Sequence, residues 1–178
     1  IPFITTTKLR HPLIEQCLND EIYVSNDIIF DTNNKGYLLY GTNAVGKSSF
    51  IKSIGIALIM AQSGFYVPSS SFSFFPYKKI FTRILGNDNI FKGLSTFAVE
   101  MLEFKNILEQ CCENSLILGD ELCSGTETDS ATSIIIAGLN HLHTKSSSYI
   151  FATHFHEIVN YEEITSKSDL HIKHMSMA

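Results

Sequence analysis

The sequence has no tryptophan, no apolar run long enough to span a membrane and no excess of positive charge. "ALIMAQSGFYV" comes nearest to a membrane span, and Gln62 and Gly64 break it. Lys and Arg number 13 against 18 Asp and Glu, a net charge of -5. A surface that grips DNA directly is normally basic, because affinity comes from neutralising phosphates. That makes the chain a poor candidate for the DNA-contacting part of any machine. Cys17, Cys111, Cys112 and Cys123 show none of the paired spacings of a zinc site or a disulfide framework. They read as reduced, intracellular thiols. Internal repeats, low-complexity tracts and a signal peptide are not recognisable. The chain opens at Ile1 rather than Met, so a piece of a longer protein is expected.

What is present fits one soluble domain of 178 residues, 44% apolar and 17% charged. Residues 1–35 read as short strands and loops. Gly36 to Tyr40 is a compact apolar run, expected as a buried strand. A helix is expected from Lys47 to about Ala61, with Ile51, Ile54, Leu58 and Ala61 on one face. "VPSSSFSFFPYKK" reads as a loop or a loop with an edge strand, and "KIFTRIL" as a strand. A helix from Ser95 to about Cys112 carries Phe97, Met101, Phe104 and Leu108 at core spacing. The strand "SLILGDE", a helix over about Asp129 to His143 and the strand "SYIFATH" follow. Strands alternating with helices predict a three-layer α/β fold around a mostly parallel sheet.

The chemistry concentrates in "LLYGTNAVGKSSF" (Leu38 to Phe50), where Gly41, Gly46, Lys47 and Ser48 satisfy G-x-x-x-x-G-K-S/T between a strand and a helix. Glycines let successive N–H groups curl inward into an anion nest, and the helix N-terminus adds partial positive charge. Lys47 reaches the β and γ phosphates, and Ser48 offers a hydroxyl to Mg²⁺. "SLILGDE" ends in two acids: Asp120 suits a Mg²⁺ ligand, and Glu121 suits a base that polarises water. The plainer alternative is that this pair only caps a strand at solvent. "ATHFHE" puts His154 straight after another apolar strand, where a parallel sheet could aim it at the γ-phosphate. An ordinary surface or core histidine is the other reading. His154 and His156 lack matching Cys or acid ligands nearby for a metal pair.

Together, "GTNAVGKSSFIKSIGIALIMAQSGFYVP", "STFAVEM", "SLILGDELCSGTETDSA", "YIFATHFHEI" and the opening "RHPLIE" resemble the ATPase domain of the MutS family of DNA mismatch-repair proteins. "DELCSGTE" is similar to a divergent branch from large DNA viruses and octocoral mitochondria. The resemblance covers Leu9 to about Val159. It implies a P-loop NTPase of ABC-ATPase type, with the whole of 1–178 as one ATPase domain. ATP with Mg²⁺ would lie between two such domains, a homodimer in the parent protein, with mismatched double-stranded DNA held by other domains of that chain and no membrane involved. Residue by residue, Gly41, Thr42, Asn43, Ala44, Val45, Gly46, Lys47, Ser48 and Ser49 match the phosphate loop. Ser48 and Asp120 match the metal positions, Glu121 the catalytic base and His154 the switch histidine. Ser95 matches the serine that reaches the nucleotide held by the partner domain. Tyr23, in "EIYVSNDI", falls where the family usually has Phe against adenine, though a buried strand tyrosine is the alternative.

Some positions depart from the family pattern. Thr42 replaces a proline, Ser124 an arginine and Ser130 an acid, with Asp129 one residue early. The "CSGTETDSA" segment passes near the partner subunit in the family, so coupling between subunits is what these changes touch. The rival functional reading is an ATP-dependent clamp that recognises DNA junctions and turns over little.

Overall fold

The computed structural model describes residues 1–18, 22–84, 96–123 and 126–176. The strands divide between two sheets. β1 (Phe3–Leu9), β2 (Asn26–Phe30) and β4 (Ser71–Phe75) form a three-stranded sheet in the order β2-β1-β4, antiparallel throughout. β3 (Gly36–Tyr40), β5 (Lys79–Arg83), β6 (Ser115–Asp120), β7 (Ser148–Thr153) and β8 (Leu170–His174) form a parallel sheet ordered β5-β6-β7-β3-β8. The helices are α1 (Pro12–Cys17), α2 (Lys47–Gln62), α3 (Thr96–Gln110), α4 (Thr128–Thr144) and α5 (Glu162–Thr165).

This topology corrects the expected three-layer P-loop NTPase of ABC-ATPase type built on one mostly parallel sheet. The chain is a small α/β fold with mixed sheets. The reason lies at the N-terminal end and in the serine-phenylalanine stretch. β1 pairs backwards with β2, Ile4 opposite Phe30, and β4 adds to its other edge, Phe3 opposite Phe75. A connection as short as that from β1 to β2 permits antiparallel pairing, and β4, distant in the chain, is brought to the other edge by tertiary packing.

Every residue of β6 and β7 is buried, as expected for parallel strands covered on both faces. Side chains alternate between two cores, as a period of two requires. Leu38, Ile117, Tyr149 and Phe151 meet α3 and α4 through Phe104, Ile135 and Leu139. Tyr37, Leu39, Leu116, Leu118 and Ile150 meet α2 and the antiparallel sheet through Ile51, Ile54, Leu58, Ile4 and Phe30. α2 supplies that packing with the face foreseen from its spacing, and it extends one residue past Ala61. Among the described residues no helix is long and apolar enough to cross a membrane.

One buried group stands apart from this packing. Tyr149 is fully buried, and its hydroxyl has no hydrogen-bond partner among the described residues. Burial, helped by the charge of Asp169, pushes its ionisation well above the ordinary phenol range. Tyr149→Phe deletes an unpaired, desolvated hydroxyl while keeping the ring. Stability by urea unfolding should therefore stay within about 1 kcal/mol of wild type or rise. A loss beyond about 2 kcal/mol would mean that the hydroxyl has a partner.

Candidate functional site

Parallel register carries three loops to one rim. Tyr40 lies opposite Thr153, and Asp120 opposite Ala152. The residues that follow, Gly41, His154 and Glu121, therefore leave the sheet side by side at its carboxyl edge, where α/β folds place their ligands.

The loop from Gly41 to Gly46 leads into α2. Gly46 caps the helix at φ 95, a left-handed geometry open to glycine, and provides no side-chain cap. The first N–H groups of this 16-residue helix thus receive no side-chain partner from the cap. Gly41 sits at φ 151, and a side chain there would strike the carbonyl of Met175. The Met175 N–H in turn donates to Tyr40 O at 2.8 Å. The segment after β8 therefore backs the start of the loop, a contact with no signal in the sequence. Ala44 takes φ 64 without being glycine. Thr42, Asn43 and Ala44 are exposed; Val45, Ser48 and Ser49 are half-buried.

Lys47 is buried, at 4% exposure. Its Nζ donates to Gly41 O and Thr42 O, both at 2.9 Å, and ties the loop to the first turn of the helix. An ammonium has three donors, so one remains beyond these two bonds. Ala44, Gly46, Lys47, Ser48, Ser49 and Glu121 line a cleft of about 170 Å³. Lys47 and the second acid of the pair thus share one small space. A second cleft, of about 370 Å³, joins the loop residues Ala44, Val45, Gly46 and Ser49 to Tyr23, Asn26, Ile14 and Leu18.

Asp120 ends β6 nearly buried, at 5% exposure, and its Oδ1 has no hydrogen-bond partner among the described residues. A buried, unpaired acceptor is costly unless a cation or donor meets it, so this oxygen suits a divalent cation. Glu121 takes φ 49, and its N–H donates to Ala152 O at 3.0 Å. The fully solvated strand cap considered for this pair does not describe Asp120. His154 is half-buried with its ring against Phe155, centroids 4.1 Å apart, and does not line the smaller cleft. Among the described residues no group of three or more His, Cys, Asp or Glu is placed to hold a metal.

Tyr23 lies in a loop before β2, half-buried, which excludes the buried strand alternative. Burial raises its ionisation, and a hydrogen bond with the backbone of His11 works the other way. His11 itself caps α1 by accepting from Ile14 N at 3.4 Å. Tyr23 is a wall of the larger cleft, across from the loop residues. Ser95 and Ser124 lie outside the described residues.

Sequence reasoning missed Glu100. This carboxylate is buried at 6% exposure and accepts the Cys123 N–H at 2.8 Å. The available signal was an acid on the core-facing Phe97, Met101, Phe104 stripe of an amphipathic helix.

Residues 37–178 match the family model described as MutS domain V. The chain is 38% identical over 208 residues to a DNA mismatch-repair protein mutS homologue of Acanthamoeba polyphaga mimivirus, covering 97% of this chain and 18% of that protein. It is 42% identical over 156 residues to a mitochondrial DNA mismatch-repair protein mutS homologue of Sarcophyton glaucum, 88% and 16%. It is 37% identical over 179 residues to the DNA mismatch-repair protein MutS of Macrococcus caseolyticus, 96% and 21%. The chain thus spans about a fifth of the length of these relatives.

Proposed function

This chain belongs to the MutS family of DNA mismatch-repair proteins, and we propose that it is the part that binds and hydrolyses ATP. The observation that carries the reading is the cleft shared by Lys47, Ser48 and Glu121. Lys47 would neutralise the terminal phosphates, and the N-terminus of α2 would take their oxygens on backbone N–H groups. Tyr23 would face the base from the wall of the larger cleft. Ser48 and the unpaired Oδ1 of Asp120 would hold Mg²⁺, which when bound would neutralise charge on the phosphates. Glu121 would accept the proton of the attacking water, and His154 would sense the γ-phosphate. Ser95 would act on the nucleotide of a second copy, so that two domains complete each site.

In the parent chain, an intracellular protein on this reading, closing and reopening that pair would change how other domains hold mismatched duplex. The test is steady-state ATP turnover by the full parent chain over a dilution series, with matched and mismatched duplex. Turnover per chain should rise with protein concentration, and mismatched duplex should shift the rate more than matched duplex does. A rate per chain that stays high and flat on dilution to concentrations where the parent chain is monomeric removes the two-domain site. Tight ATP binding with no turnover at any concentration would favour a junction-binding switch.

A further inference from the structure

Glu121 does not hold its own position. Its backbone takes φ 49, and Cys123, two residues on, takes φ 62. Neither is glycine, so each needs its surroundings to keep it in the left-handed region. On the strand side the Glu121 N–H is fixed to Ala152 O at 3.0 Å. On the far side Leu122 and Cys123 turn into the core, 1% and 0% exposed, in the cluster that holds Phe104, Ala131 and Phe155. The Cys123 N–H, which cannot reach water there, is met by Glu100 Oε1 at 2.8 Å. A carboxylate in that place accepts a strong hydrogen bond from a buried donor. Burial, and then the charge of Glu100, push the Cys123 thiol up to about 11.

We infer that Glu100, reaching from α3 to the Cys123 N–H, is the positioning residue that holds Glu121 in the cleft with Lys47. The proposal rests on the ATPase reading above and adds to it a residue that never touches nucleotide. α3 and the acid-pair turn belong to separate parts of the chain, and this bond links them directly. With Glu100 in place, the backbone from Glu121 to Cys123 is anchored at both ends. Without it, the Cys123 N–H is buried and unpaired and the left-handed turn loses its far anchor. The phosphate loop, built on β3 and α2, shares none of these bonds, so nucleotide affinity should survive the loss.

The experiment compares the full parent chain with its Glu100→Ala and Glu100→Gln variants, reading kcat, ATP affinity and alkylation of Cys123 by iodoacetamide through peptide mass spectrometry. Glu100→Ala should lower kcat by about 10- to 100-fold, as a misplaced catalytic group does, with ATP affinity within about twofold of wild type. Cys123 should alkylate faster in that variant. Glu100→Gln keeps the Oε1 acceptor, so it should retain most of the turnover, and Cys123 should alkylate more slowly than in Glu100→Ala. Wild-type kcat in Glu100→Ala overturns the inference. So does a loss in Glu100→Gln equal to that in Glu100→Ala, or a parallel loss of turnover and affinity, since each describes a merely structural acid. If Glu100→Ala does not fold, Glu100→Gln decides: turnover near wild type supports the bond, and a collapse of turnover overturns it. If the wild-type chain has no turnover, the ATPase reading itself fails. Alkylation then decides separately whether Glu100 pins the turn, with equal rates in all three proteins counting against it.

Discussion

Lys47→Ala should all but abolish ATP binding by the parent chain, a weakening of about 100- to 1,000-fold in equilibrium titration with a fluorescent ATP analogue. The size follows from the bonds at stake. A hydrogen bond to a charged group contributes about 1.5–3 kcal/mol, and each 1.4 kcal/mol is about tenfold in affinity. A lysine that contacts two phosphates would lose one or two such bonds together with its charge. The geometry makes this lysine hard to replace. It is buried and its Nζ is already held by Gly41 O and Thr42 O, so it needs little ordering to meet a ligand at the loop. Among the described residues, no other side chain lining the smaller cleft carries a positive charge. Lys47→Arg should not restore binding, because a planar fork cannot occupy the compact position between those two carbonyls. Binding within about threefold of wild type in Lys47→Ala would mean that the loop does not hold phosphate.

Glu121→Gln should have the opposite signature, with ATP bound as tightly as in wild type and kcat reduced by about 100- to 10,000-fold, the range that a general base supplies. The substitution keeps size and hydrogen-bonding reach. It leaves the bond from the residue's N–H to Ala152 O untouched, so the left-handed turn should survive. Only the ability to take a proton is lost. A rapid-quench experiment separates the possibilities: wild type should release phosphate over many turnovers, and the variant should hold ATP uncleaved. A fall in kcat of less than about threefold would remove Glu121 from the role of base. The pair of substitutions is informative because both residues line one 170 Å³ cleft. Loss of binding in one and loss of turnover in the other would assign separate steps to its two walls.

Some of this site was legible in the residues because it depends on local backbone. A loop of type G-x-x-x-x-G-K-S needs glycine at Gly41 and Gly46 for conformations that other residues resist, and both take positive φ here. The apolar runs ending in Tyr40, Asp120 and Thr153 became parallel neighbours, because strands buried on both faces leave no room for polar positions. From that register alone Gly41, Glu121 and His154 share a rim. The sequence also contained the family, since "GTNAVGKSS" and "STFAVEM" are read in order along the chain.

Other features depended on contacts between distant segments. The split into an antiparallel and a parallel sheet arises because β4, legible only as a loop or an edge strand, finds the free edge of β1. The backing of Gly41 by Met175 joins residues far apart in the chain. Glu100 is the sharpest case. In sequence it is one acid on a helix; in the fold it is the partner of a buried N–H beside the acid pair. Spacing along the chain determined the loop, the strands and the candidate site residues, because those follow from local conformation and periodicity. Tertiary packing decided which of these groups face one another, because a buried donor accepts whichever acceptor the fold brings within reach.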